Sequence, residues 1–196
     1  MGLAVLVLGL AVFLASHLFV RSRSRRAAAM ARLGEIPYRI VFSLVSILAV
    51  VLIVIGFAQY RAAEWIDIWY PPLWMRHVTV ALVLPAVILL VAAFVPGHLK
   101  IWSKYPALVA VKLWALAHLI SNGDLGSILM FGTFLAWAAI ARIALKRQPP
   151  EDTKPLPSER RLWINDAVAV IAGMLIYLAL GFVFHPLYIG VPVFGA

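Results

Sequence analysis

Five histidines carry most of the chemical information in this chain. His118 sits in an apolar stretch, Leu113–Trp137, that reads LWALAHLISNGDLGSILMFGTFLAW. At helical spacing its neighbours are Val111, Trp114, Ala115, Ser121 and Asn122. Small, aromatic and polar groups on one face suit a bundle interior or a flat bound ring. An imidazole there can bond a neighbouring helix, or it can ligate a metal or a haem iron. His17 and His77 lie inside other apolar stretches and carry the same two readings. His98 follows Pro96-Gly97 in a loop, and His185 ends an apolar stretch just before Pro186. Both read as interface residues that need no special explanation.

The elements that position these residues follow from composition. The chain has 196 residues, of which 64% are hydrophobic and 13% charged. A soluble domain of this size is near half apolar and a quarter charged, so an integral membrane protein is indicated. Apolar stretches at about 2–20, 37–58, 73–95, 106–121, 125–145 and 162–184 predict an all-α transmembrane bundle of six helices. They form one domain over residues 1–196. Each is near the roughly 20 residues that cross a bilayer, the fourth being short. Pro37 and Pro106 open their helices, and Pro85 lies inside the third. The first stretch has no basic residue before it, so it reads as a retained span rather than a cleaved leader.

Charge orients the bundle. Arg21, Arg23, Arg25, Arg26, Arg32 and Arg39 flank or fill the first loop. Lys100, Lys104 and Lys112 cluster around the third, and Arg142, Lys146, Arg147, Lys154, Arg160 and Arg161 around the fifth. Only Arg61 and Arg76 of the 17 basic residues fall on the other side. The asymmetry predicts cytoplasmic odd loops and two periplasmic termini in a multi-pass protein of the bacterial inner membrane. It also accounts for the net charge of +9 without nucleic acid. Membrane lipid is the expected surrounding partner. Lys146–Arg160, rich in proline and mixed charge, is expected to be a flexible cytoplasmic connector. Glu64–Trp74 carries the aromatic residues of an outer interface.

Several chemistries are excluded or lack parts. With no cysteine there is no disulfide, thiolate nucleophile or iron–sulfur cluster. No Walker loop, dinucleotide fingerprint, HExxH pair or nucleophile elbow occurs. No carboxylate lies deep in a span. Asn122-Gly123 predicts a tight turn, and Asp124 a cap for the fifth helix. Asn165 and Asp166 read as end-of-helix residues, and Lys112 as a snorkelling lysine.

The stretches LASHLFVRS, GEIPYRIVFSLVS, LWMRHVTVALVLPAVILLVAAF, KLWALAHLISNGD and FLAWAAIARIALKR together resemble the NnrU family of bacterial membrane proteins. The resemblance runs to about Arg147, with a looser match at His185–Phe194. It implies a link to denitrification and nitric oxide metabolism. It also implies a relationship to plant zeta-carotene isomerase, a membrane enzyme that uses haem b with histidine ligation. On that relationship His118 and His17 match ligand-bearing positions, and His77 matches a further histidine. The implied cofactor is haem b, held by His118 with His17 or His77 and lined by Trp114, Asn122 and Arg76. Nitric oxide or a hydrophobic small molecule would be the partner.

One departure matters: the isomerase has a cysteine where this chain has Ala115, which argues against isomerase chemistry on an isoprenoid lipid. The Lys104-Tyr105-Pro106 stretch likewise departs from the Arg-His-Pro of membrane methyltransferases. A structural or transport component without a cofactor is the reading from a different class. At 1.5 Å per residue, His17 lies about 22 Å from the outer end of its helix, His118 about 5 Å and His77 about 6 Å. Depth therefore favours His77 beside His118, whereas the resemblance favours His17. Arg76 and Arg61 would face haem propionates in the first arrangement, Arg21 and Arg39 in the second.

Overall fold

The computed structural model describes residues 1–147 and 157–194. Among them the chain is helical: α1 Gly2–Arg21, α2 Arg23–Leu33, α3 Glu35–Ala63, α4 Met75–Ala92, α5 His98–Ser103, α6 Pro106–Ser121, α7 Leu125–Lys146 and α8 Glu159–Ala179. A π-helical segment, Leu180–Ile189, continues α8. Five helices are long and apolar enough to cross a membrane: α1, α3, α4, α7, and α8 with its extension. α6 is apolar but has only 16 residues, about 24 Å of helix. Most of the expected connector Lys146–Arg160, and Ala196, lie outside the described residues.

Three expectations are corrected. The first basic loop contains a helix, α2, because its Arg/Ala-rich sequence is helix-favouring. Ser22 Oγ accepts from the Arg25 N–H at 3.4 Å to cap it, and Gly34, at φ +85°, ends it. α3 starts at Glu35, two residues before Pro37. Proline is tolerated there because first-turn N–H groups have no intrahelical acceptor. The last helix passes through Pro186 rather than stopping before it, by widening into π geometry. Pro85 is accommodated inside α4 without ending it.

The chain divides into two compact units. The first comprises Met1–Tyr70 and Gly123–Thr133. In it α1 packs along α3 at glycine-to-backbone distance. A Cβ on Gly56 would collide with the Leu6 backbone, and one on Gly9 with Ile53. Small residues at such points let two apolar helices approach closely in lipid. Glu64 accepts from the Gly2 and Leu3 N–H groups, at 2.6 and 3.1 Å, at the start of α1. The Glu64–Tyr70 segment is held against the turn before α7: Ile68 N–H donates to the Gly123 carbonyl at 2.9 Å, and Leu125 N–H to that of Ile66 at 2.9 Å. The expected cap is present, with the Ser127 N–H donating to Asp124 Oδ1 at 2.9 Å.

The second unit comprises Pro71–Asn122 and Phe134–Ala196. Here α4 packs against α6 and α8, and the short α5 touches α4, α6 and α8. Gly173 of α8 lies against the Ile88 backbone of α4. Tyr177 Oη donates to the Val80 carbonyl at 3.1 Å, tying the same two helices. In an apolar surround, such donor–carbonyl bonds are the polar glue between helices.

Candidate functional site

His118 occupies the last turn of α6, half-buried. Its Nδ1 lies 2.8 Å from the Trp114 carbonyl, one turn earlier. A carbonyl only accepts, so Nδ1 carries the proton and Nε2 the lone pair. The same bond that fixes the tautomer fixes the ring's direction, as it does in ligating histidines. The Trp114 ring lies 5.3 Å from the imidazole and 5.7 Å from the Phe134 ring. Asn122 Nδ2 donates to the His118 carbonyl at 2.8 Å and closes the end of the helix. Trp114 and Asn122 thus both serve His118, one through its carbonyl and one through its amide.

Within the same unit the ring of His185 lies 6.3 Å from that of His118 between centres, inclined by 32°. Sequence reasoning assigned His185 no role. The usable signal is that α6 and the α8 extension each carry a histidine near their C-terminal ends. Expecting the helix to stop at Pro186 hid it. The π-helical segment shifts the residues that follow relative to a regular helix, and such segments recur at functional sites. The Val191 N–H reaches back to the His185 carbonyl at 3.4 Å.

His17 and His77 are placed differently. His17 lies in the first unit, with Nδ1 2.9 Å from the Phe13 carbonyl and 3.1 Å from Ser16 Oγ. Its ring stacks on Phe13 at 4.1 Å and meets Phe42 at 5.5 Å. It repeats the His118 motif of an imidazole tied to the carbonyl four residues back. His77 is exposed in the first turns of α4, next to exposed Arg76. Thr79, two residues on, donates to the Ala117 carbonyl of α6 at 2.8 Å. Two residues turn a helix by about 200°, so His77 leaves the opposite face from Thr79. Arg39 pairs with Glu35 on the same helix.

A ring nitrogen bonds a metal at about 2 Å, so two imidazoles sharing one ion stand roughly 6 Å apart between centres. The His118–His185 separation fits that spacing. Among the described residues no group of three or more His, Cys, Asp or Glu side chains could hold a bare ion. Two imidazoles complete a haem iron, because the macrocycle supplies the other ligands. The donor set therefore fits a haem better than zinc, which takes four protein groups or three and water.

His98 has the opposite surroundings, and reading it as an unremarkable loop residue is corrected. It begins α5, with Nδ1 2.8 Å from Asp166 and Nε2 3.0 Å from Glu159. Asp166 also accepts the His98 and Leu99 N–H groups, both at 3.0 Å, and so caps α5 from across the unit. Asn165 Nδ2 donates to the Pro96 carbonyl at 2.8 Å. These two residues do not serve the end of their own helix; they fasten another one. The Asp166 carboxylate holds His98 above the usual histidine range; burial opposes this, and Glu159 adds to it.

A family model described as NnrU protein matches residues 5–193, nearly the whole chain. No curated protein and no solved structure gives a significant match.

Proposed function

The chain belongs to the NnrU family, and on that premise we propose that it is a multi-pass membrane protein that binds haem b through His118. The observation that carries this is the His118–His185 pair, 6.3 Å apart, with the His118 tautomer set by the Trp114 carbonyl. His185 is the second imidazole in this reading; His17 is the competing partner, since it has the same Nδ1 anchor in the first unit. Trp114 supplies a flat wall, and Asn122 keeps the end of α6 closed. A haem would supply one-electron or gas-binding chemistry, in keeping with a role in nitric oxide-related redox physiology. Ala115, where a thiol stands in the isomerase, removes any thiolate ligand. The protein purified in detergent from cells well supplied with haem should show a Soret band. A colourless preparation under those conditions overturns the proposal.

The same reading places α6 as a sixth span and both termini in the periplasm of a bacterial inner membrane. The basic residues around α2 and at the ends of α7 and α8 support it. The chain lacks cysteine, so single cysteines at positions 28 and 66 report topology directly. An impermeant thiol reagent on spheroplasts should label position 66 and spare position 28; the reverse pattern inverts the orientation.

A further inference from the structure

The second unit holds a cavity of about 160 Å³ lined by Lys112, Ala139, Arg142, Ile143 and Lys146. Three of those five residues are cations. Ala139, Arg142, Ile143 and Lys146 follow the i, i+3, i+4, i+7 spacing of one helical face. Tyr105 Oη donates to the Leu145 carbonyl at 3.2 Å, which sets the start of α6 beside the end of α7. Lys112, about 9 Å into α6 by helical rise, then reaches the cavity from the other wall.

Among the described residues no carboxylate pairs with the charges in this cavity. Arg142 and Lys146 both act on Lys112 with like charge. Arg142 Nε is buried with no hydrogen-bond partner among the described residues. A guanidinium whose Nε is buried without an acceptor, set beside two ammonium groups, is costly unless an anion completes it. A guanidinium fork and two lysines match a phosphate, which accepts several charge-assisted hydrogen bonds at once. The volume suits a phosphate group, not a whole lipid. Beyond it the surface turns apolar: Leu116 is 41% exposed one turn from Lys112, and Ile140 and Ile143 are 52% and 53% exposed.

We propose that this pocket binds the phosphate headgroup of an anionic phospholipid, whose acyl chains lie along Leu116, Ile140 and Ile143. Basic pockets between transmembrane helices bind lipid headgroups in this way. A free phosphate would satisfy the charges and leave the apolar rim unused.

The test is the thermal unfolding midpoint of the detergent-purified protein, read by tryptophan fluorescence. Dioctanoyl phosphatidylglycerol should raise it by several degrees, because a ligand that binds only the folded state stabilises it. Dioctanoyl phosphatidylcholine, with the same chains and no net charge, should not, nor should inorganic phosphate at equal concentration. Arg142→Gln should weaken the apparent affinity for the anionic lipid about tenfold or more. Lys112→Gln and Lys146→Gln should weaken it too. Without lipid, these two variants should be as stable as the parent or more so, since each removes a like charge. Arg25→Gln with Arg26→Gln, on α2, should keep the full response. Equal shifts from both lipids, an undiminished response in all three pocket variants, or an equal loss in the α2 variant would overturn the proposal. A full response to inorganic phosphate alone would replace the lipid with a free anion and overturn it as well.

Discussion

His118 and His98 are the same side chain in two opposite settings, both in the second unit. His98 has a carboxylate on each ring nitrogen, at 2.8 and 3.0 Å, so it is built to be an imidazolium that fastens α5 to α8. His118 has a backbone carbonyl on one nitrogen, the Trp114 ring 5.3 Å from it and a second imidazole 6.3 Å away. Two carboxylates leave a histidine no lone pair for a metal. In His118 the carbonyl on Nδ1 puts the lone pair on Nε2 and gives the ring a fixed direction. What each histidine can do follows from the acceptor on its Nδ1, not from its depth in the sequence pattern.

The sharpest way to break this contrast is to exchange the two losses. His118→Ala should lower haem content per protein at least about tenfold, the lower end of what losing even a ligand's outer-shell support costs. His98→Ala should leave haem content unchanged. Equal losses in both would mean that the pigment reports folding rather than ligation. Next in size is Asp166→Ala. It leaves the His98 and Leu99 N–H groups without their acceptors, which costs about 1–3 kcal/mol when such groups are buried. Chemical denaturation in detergent measures that loss, and the Soret band per folded protein should not change.

A smaller effect separates the two settings by pH. His98 is raised above the ordinary histidine value of about 6.5. Its stabilising contribution is therefore complete below that value and fades as pH rises through the higher folded-state value. The midpoint of the parent protein should fall between pH 6 and pH 8 relative to that of His98→Gln. A constant difference between the two would remove the imidazolium clamp. The smallest expected effect is Trp114→Phe. It keeps both the carbonyl that holds His118 and an aromatic ring, so haem content should stay within about twofold. A loss as large as that of His118→Ala would make the indole, not the carbonyl, the decisive partner.

Local features were legible in the sequence because their partners lie within one turn. Asp124 capping α7, Pro106 opening α6 and the apolar helices themselves are of this kind. Ser22 and the Arg/Ala-rich run after it also announce α2, although treating the region as a basic loop passed over it. The long-range features were not legible. His118 meets a ring 67 positions away, His98 a carboxylate 68 away, and Leu125 a carbonyl in the Glu64–Tyr70 segment. Helical periodicity gives a residue's face and depth; it does not say which helix stands opposite. Hence His185 and Asp166 looked like helix-end residues, and Lys112 like a lone snorkelling lysine rather than one wall of a cationic cavity.

The central claim is that His118 and His185 hold one haem between them. Near-infrared magnetic circular dichroism of the haem-loaded protein identifies the axial ligands directly. The account predicts a low-spin, bis-imidazole spectrum in the parent protein. It predicts conversion to a five-coordinate, high-spin spectrum in His185→Ala and no conversion in His17→Ala. Conversion in His17→Ala with an unchanged spectrum in His185→Ala would contradict it.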